Sequence, residues 1–213
     1  MFEFEQPNQN KTEIKPGASE KEEAEELENE VDKYQRDRNN LELKNVLIEK
    51  IRKRALLLSR DEFMKQTEKD KRDEPKEILA EYPGYSSGFE VRPVLNINAI
   101  PPDLLPNILE HETMETLEMY PSRRLQDKWE NEKGSAHPQT KIDSDREATI
   151  AEYTLAKKNG KLNEQHNFLM NFLNKAESSV RFQEKKEDEP DWLEIIKDRR
   201  KMREEIYNSM QDK

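Results

Sequence analysis

Cysteine is absent from this chain, which removes disulfide staples, thiolate nucleophiles and cysteine-bound metal together. Glycine is scarce, five residues against eleven prolines, a balance that suits helices joined by Pro-bearing connectors better than a turn-rich β fold. No apolar run approaches the roughly 18 residues that a membrane span needs. No Gly-x-Ser-x-Gly elbow and no Gly-rich phosphate loop occurs, so the usual starting points for acyl transfer and nucleotide chemistry are missing. Apolar side chains are also short in supply. They make up 32% of the 213 residues and charged ones 39%, against roughly 45–50% and about 25% in an ordinary globular domain. The mean hydropathy of -1.21 agrees. A chain this polar is expected to build a thin core and long, partly exposed helices.

The same absences bear on location. The opening MFEFEQPNQNKTEIKPG has neither a cationic nor an apolar leader region. The expectation is a soluble intracellular protein with no membrane span, the nucleus slightly ahead of the cytoplasm. A formal net charge of -10 opposes a simple nucleic-acid binder, since phosphate contacts must come from Lys and Arg.

What the chain does have is one stretch, residues 19–74, without Gly or Pro and about half charged. Its apolar residues recur at helical spacing through Ala24, Leu27, Val31, Tyr34, Leu41, Ile48 and Ala55. Ser19 with Glu22 makes a capping box. The spacing predicts one helix, which at 55 residues would be about 80 Å long. Such a helix cannot bury its stripe in its own globule and is expected to pair with a partner helix, its own copy or another protein. Between Leu41 and Leu58 two apolar lines run side by side, Leu41–Ile48–Ala55 and Leu43–Leu47–Ile51–Leu58, so that part is covered from more than one side. The stretch is acidic at the front and basic behind, with Lys50, Arg52, Lys53 and Arg54 at the heart of the basic half. Laid antiparallel on a copy of itself, each acidic end would face a basic one. The four cations could also meet phosphate, which keeps a nucleic-acid-associated regulatory factor as the alternative function.

The remaining segments divide as follows. Residues 1–18 read as a disordered tail and 75–102 as an extended Pro-rich linker or docking arm. Within that arm Phe89, Val91, Leu95 and Ile97 offer apolar side chains to a partner, and Pro93 restricts any strand to an edge. Residues 103–134 read as short helices, one carrying Leu104, Ile108 and Leu117 and a second reaching Trp129. Residues 142–211 read as a helical hairpin turning at Gly160, capped by Ser144 with Glu147, plus a last amphipathic helix with Pro190 at its start. Trp192 and Ile196 on that helix are candidate partner anchors.

Chemistry has little to start from. His111, His137 and His166 lie far apart, and Glu110, His111 and Glu112 are helical neighbours on different faces. No metal, cofactor, catalytic residue or small-molecule substrate is therefore expected. The reading is an elongated all-α protein with a long coiled-coil-like N-terminal helix, the Pro-rich middle segment and a small C-terminal helical bundle. Its expected function is that of a non-enzymatic structural or adaptor subunit of a larger assembly. The partner-binding residues are then Leu27, Val31, Tyr34, Leu41, Ile48, Ile51, Ala55, Leu58, Phe89, Val91, Leu95, Ile97, Trp192 and Ile196.

Overall fold

The computed structural model describes residues 18–70, 76–87, 91–119, 138–180 and 192–211. Among these the chain is mostly helical. Its order is α1 (Ala18–Arg36), α2 (Leu41–Lys53), β1 (Leu56–Leu58), α3 (Arg60–Lys69), α4 (Lys76–Leu79), β2 (Gly84–Ser87), β3 (Arg92–Asn96), α5 (Leu105–Met119), α6 (Pro138–Lys158), α7 (Leu162–Val180) and α8 (Trp192–Gln211).

The single long helix expected over 19–74 is corrected: the stretch breaks twice. α1 stops at Arg36, and Asn40 restarts the chain as an N-cap whose side chain accepts from the Leu43 amide at 3.0 Å. Asn and Asp compete well for backbone groups, so the Asp37–Asn40 run favours a turn over helix interior. α1 then packs back on α2. The second break follows Arg54. Three successive leucines cannot share one helix face, but a short strand covered on both sides accepts an unbroken apolar run. Ser59 and Glu62 then start α3 with a capping box, the Ser59 amide donating to Glu62 at 2.9 Å. At the front, α1 begins at Ala18, so Ser19 lies within it.

The middle segment is corrected too. Far from a free arm, it supplies two strands of a sheet ordered β1-β3-β2. β3 is central, parallel to β1 (Leu56 opposite Val94) and antiparallel to β2 (Tyr85 opposite Val94). Pro93 therefore sits in the middle strand, where an edge was expected. It is tolerated because β1 begins opposite Val94, so no donor is required from Pro93 on that side.

The helical hairpin of α6 and α7 forms as expected around Gly160, whose φ of +69° is the left-handed conformation that ends α6. Lys161 donates to the Ala156 carbonyl at 2.7 Å. α6 starts at Pro138 and so runs through Ser144, which is not its cap. Phe89, Trp129, the helix expected up to residue 134 and the Pro190 start all fall outside the described residues.

One apolar cluster joins Leu95, Ile108, Tyr153, Leu169 and Ile206. A second holds Leu27, Val31, Tyr34, Leu47, Ile51 and Leu117. The stripe expected to await a partner is thus largely consumed inside the chain.

Candidate functional site: a buried charge centre

α5 runs through the middle of the fold, against the sheet on one side and α6 on another. Its first half puts Ile108 and Leu109 in the core, next to Leu104 just before the helix. Its second half buries His111, Glu112, Thr113, Thr116 and Glu118 instead. α6 answers with a stripe at helical spacing in which Asp145, Thr149 and Glu152 alternate with Ala148, Tyr153 and Ala156, all buried. The two alanines let the helices approach closely, and the polar side chains meet between them. α8 adds Arg199 and Arg203, one turn apart between Ile196 and Ile206. α7 adds Gln165.

Glu152 is the hub. Arg203 Nη1 donates to its Oε2 at 2.8 Å, and Gln165 Nε2 donates to its Oε1. Gln165 in turn accepts from Asn107 at 3.0 Å. Nδ1 of His111 stands 3.0 Å from Oε2 of Glu152 but out of line for a hydrogen bond. The His111 Nε2 atom lies 3.6 Å from Asp145. Asp145 also takes the Arg199 Nε at 3.1 Å, and Arg199 Nη1 donates to the Tyr82 hydroxyl at 2.6 Å.

These neighbours set the protonation states. Burial alone would lower the His111 imidazole, but the facing Glu152 carboxylate overrides it and raises it to about 9. Burial would raise Glu152 and Asp145, yet the adjoining guanidiniums win and both are lowered: Arg203 on Glu152, Arg199 and Arg203 on Asp145. Glu112 goes the other way. Burial, reinforced by the like charge of Glu115, pushes it up to about 8.

Beside this network, one ligand atom each from His111, Glu112 and Glu115 lies within 4.8 Å of the other two. The scattered histidines gave no sign of this grouping. The informative interval is from His111 to Glu115, four residues and one face of a helix, not that between the neighbours Glu110, His111 and Glu112. Ser86 on β2 faces the same point, with its hydroxyl 3.3 Å from Glu112 Oε2 and 3.2 Å from Glu115 Oε2.

The residues expected to bind a partner are dispersed. Leu27, Val31, Tyr34, Ile51 and Val91 are buried in the α1–α2–α5 cluster, and Leu95 and Ile196 in others. Tyr34 also donates to Glu118 at 2.9 Å. Ile48, Ala55, Leu58 and Trp192 are half-buried. Leu41 stands 69% exposed and Ile97 43%. Of the basic cluster, Lys50 pairs with Glu30 at 2.6 Å, and Arg52 with Glu110 at 2.5 Å and with Glu49. Lys53 is exposed and Arg54 half-buried.

Comparison with known protein families, with curated proteins and with solved structures finds no match to this chain. Among the described residues no helix is long and apolar enough to cross a membrane.

Proposed function

We propose that the chain is a non-enzymatic structural or adaptor subunit of a larger intracellular assembly, and that it pairs through one flank of α2. The supporting observation is the fate of that helix's two apolar lines. Leu47 and Ile51 are fully buried in the chain's own cluster, whereas the other line emerges from it, with Ile48 half-buried and Leu41 largely in water. Leu41, together with Val46, which is 46% exposed on the same helix, offers apolar surface on which a second helix can sit.

The partner is a second copy of the chain, laid antiparallel. α2 opens with Glu42 and closes with Lys50, Arg52 and Lys53, so reversal on itself brings Glu42 towards Lys53. Such pairs steer orientation more than they add affinity. The internal pairing of Lys50 and Arg52 counts against the alternative, a nucleic-acid-associated factor, because it engages two of the four cations.

Light scattering over a concentration series tests the reading. A dimer is expected that dissociates in Leu41→Asp and persists in Ile150→Asp, whose target is exposed on α6. A chain that stays monomeric at every concentration, or a dimer indifferent to Leu41, removes this reading.

A further inference from the structure

We propose that His111, Glu112 and Glu115 form a binding site for a single first-row transition-metal dication, Zn²⁺ or Mn²⁺, seated between α5 and strand β2. The site does not depend on the pairing of α2.

The first support is spacing. His111 and Glu115 are one helical turn apart, the separation at which one helix offers two ligands to one ion. Glu112 follows His111 directly and turns towards Gly84 and Ser86 on the sheet. Ligands about 2 Å from a common ion lie within about 4 Å of each other. The 4.8 Å span of the three atoms is therefore close to a coordination shell, and rotation of the glutamate side chains can close the difference.

The second support is a surplus of acceptors. Ser86 is buried, and its Oγ lies 3.0 Å from the Glu112 carbonyl oxygen as well as near the two carboxylates. A hydroxyl has one proton to donate, and three oxygens face it. Thr116 already donates to the same carbonyl at 2.6 Å. Two carboxylate oxygens thus converge beside one hydroxyl proton, a position that the Glu112 proton fills in the metal-free chain and a cation can take.

The third support comes from the imidazole. The His111 side chain is only 9% exposed, and its Nδ1 lacks an aligned hydrogen bond. Each ring nitrogen has a carboxylate beside it, Glu152 at 3.0 Å and Asp145 at 3.6 Å. Whichever nitrogen turns to the ion, the other keeps a carboxylate to orient the ring, the outer-shell arrangement that metal-binding histidines generally show. Glu152 is itself fixed by Arg203 and Gln165.

Charge agrees with geometry. The centre gathers four carboxylates, Glu112, Glu115, Asp145 and Glu152, and two guanidiniums, Arg199 and Arg203. In the metal-free chain His111 and Glu112 hold protons and the centre is balanced; a dication would displace those two protons and leave the same net charge. One nitrogen and two carboxylates, without a thiolate, suit Zn²⁺ or Mn²⁺. Ca²⁺ asks for six to eight oxygens, and Mg²⁺ gives up its water reluctantly. Glu115 is only half-buried, so it marks the side by which an ion enters.

The test uses the full-length chain, stripped with EDTA and titrated with ZnCl₂ and with MnCl₂ in a calorimeter, thermal unfolding being followed in parallel. The expected result is one ion per chain and a higher melting temperature. Glu115→Gln should weaken binding at least tenfold while its circular dichroism spectrum stays that of the parent. Glu110→Gln, on the same helix but facing Arg52, should bind like the parent. MgCl₂ and CaCl₂ at the same concentrations should give no comparable shift. Should Glu115→Gln perturb the fold, Ser86→Ala reads the same site from the sheet side, with weaker binding expected. Absence of one-to-one binding by either metal overturns the assignment, and so does equal affinity in the parent and a well-folded Glu115→Gln chain.

Discussion

Arg203 donates to Glu152 across 2.8 Å in the middle of the fold, with both side chains almost wholly removed from water. The pair ties α8 to α6 and, through His111 and Gln165, to α5 and α7. Breaking a buried pair from one side leaves an uncompensated charge, at a typical cost of about 3–5 kcal/mol. Arg203→Met should lower the urea midpoint accordingly. A loss below about 1 kcal/mol, the range of exposed pairs, would show that the centre is far wetter than its geometry implies.

The metal-free chain should lose stability as the solution becomes alkaline. Glu112 binds its proton up to about 8 and His111 up to about 9 in the folded chain, while their ordinary values are 4.5 and 6.5. Between those limits the native state holds more protons than the unfolded one, so stability falls with rising pH. The contribution is complete below each ordinary value and lost through the raised one. Where both groups act, between about pH 6.5 and 8, each contributes a slope of roughly 1 kcal/mol per pH unit. Melting curves at stepped pH would show it, and Glu112→Gln should make the dependence shallower. A flat profile in the parent would contradict the assigned protonation.

Tyr34 and Glu118 lock α1 onto the end of α5. Burial, with the nearby Glu118 carboxylate adding to it, raises the Tyr34 phenol, so it remains a donor throughout the neutral range. Tyr34→Phe keeps the packing and removes only that donor. Because Lys44, 3.0 Å away, still serves Glu118, the expected loss is about 1–2 kcal/mol. Denaturant unfolding of the variant measures it.

Gly84 sets how closely α5 lies on the sheet. A Cβ there would meet Leu95 Cδ2 at 2.6 Å, the Val94 carbonyl oxygen at 3.0 Å and Glu112 Cγ at 3.2 Å. The backbone oxygen cannot yield cheaply, so Gly84→Ala should cost about 1–3 kcal/mol, as overpacking does. Because one of the three atoms belongs to Glu112, zinc affinity should fall together with stability. Unfolding and calorimetry on the same sample would test the link.

Much of the helical content was readable from spacing, but the N-terminal caps were not: Ser19 and Ser144 both lie inside their helices. The hairpin at Gly160 shows a stripe on each side and the one residue type that accepts the left-handed turn. The breaks in the first long stretch left weaker marks. Asn40 and the Ser59–Glu62 pair are capping signals, but they lie within a nearly continuous helical period. β1 is three leucines long, too short for alternation to show, and its pairing with β3 joins residues distant in sequence. The charge centre was harder still. Asp145, Glu152, Arg199 and Arg203 have the composition of a solvated helix face, and the run Arg199-Arg200-Lys201 reads as a basic surface patch. In the fold Arg199 turns to Asp145 and Arg200 to Glu177. No count of charged residues separates those facing water from those facing each other. Only the interval from His111 to Glu115 stood open in the sequence.

The parallel pairing of β1 with β3 has a consequence for the order of assembly. β2 and β3 are joined by a short connection and can zip together as a local event on the microsecond scale. β1 must wait until a much longer loop has closed, which costs chain entropy before any contact repays it. α1 and α2 precede β1 and hold their place through contacts that span the chain, such as Tyr34 with Glu118. The amino-terminal helices are therefore expected to consolidate last during folding. Pulse-labelled hydrogen exchange would reveal late protection of amides in α1 and α2, after those of β2 and β3, and the reverse order would refute it.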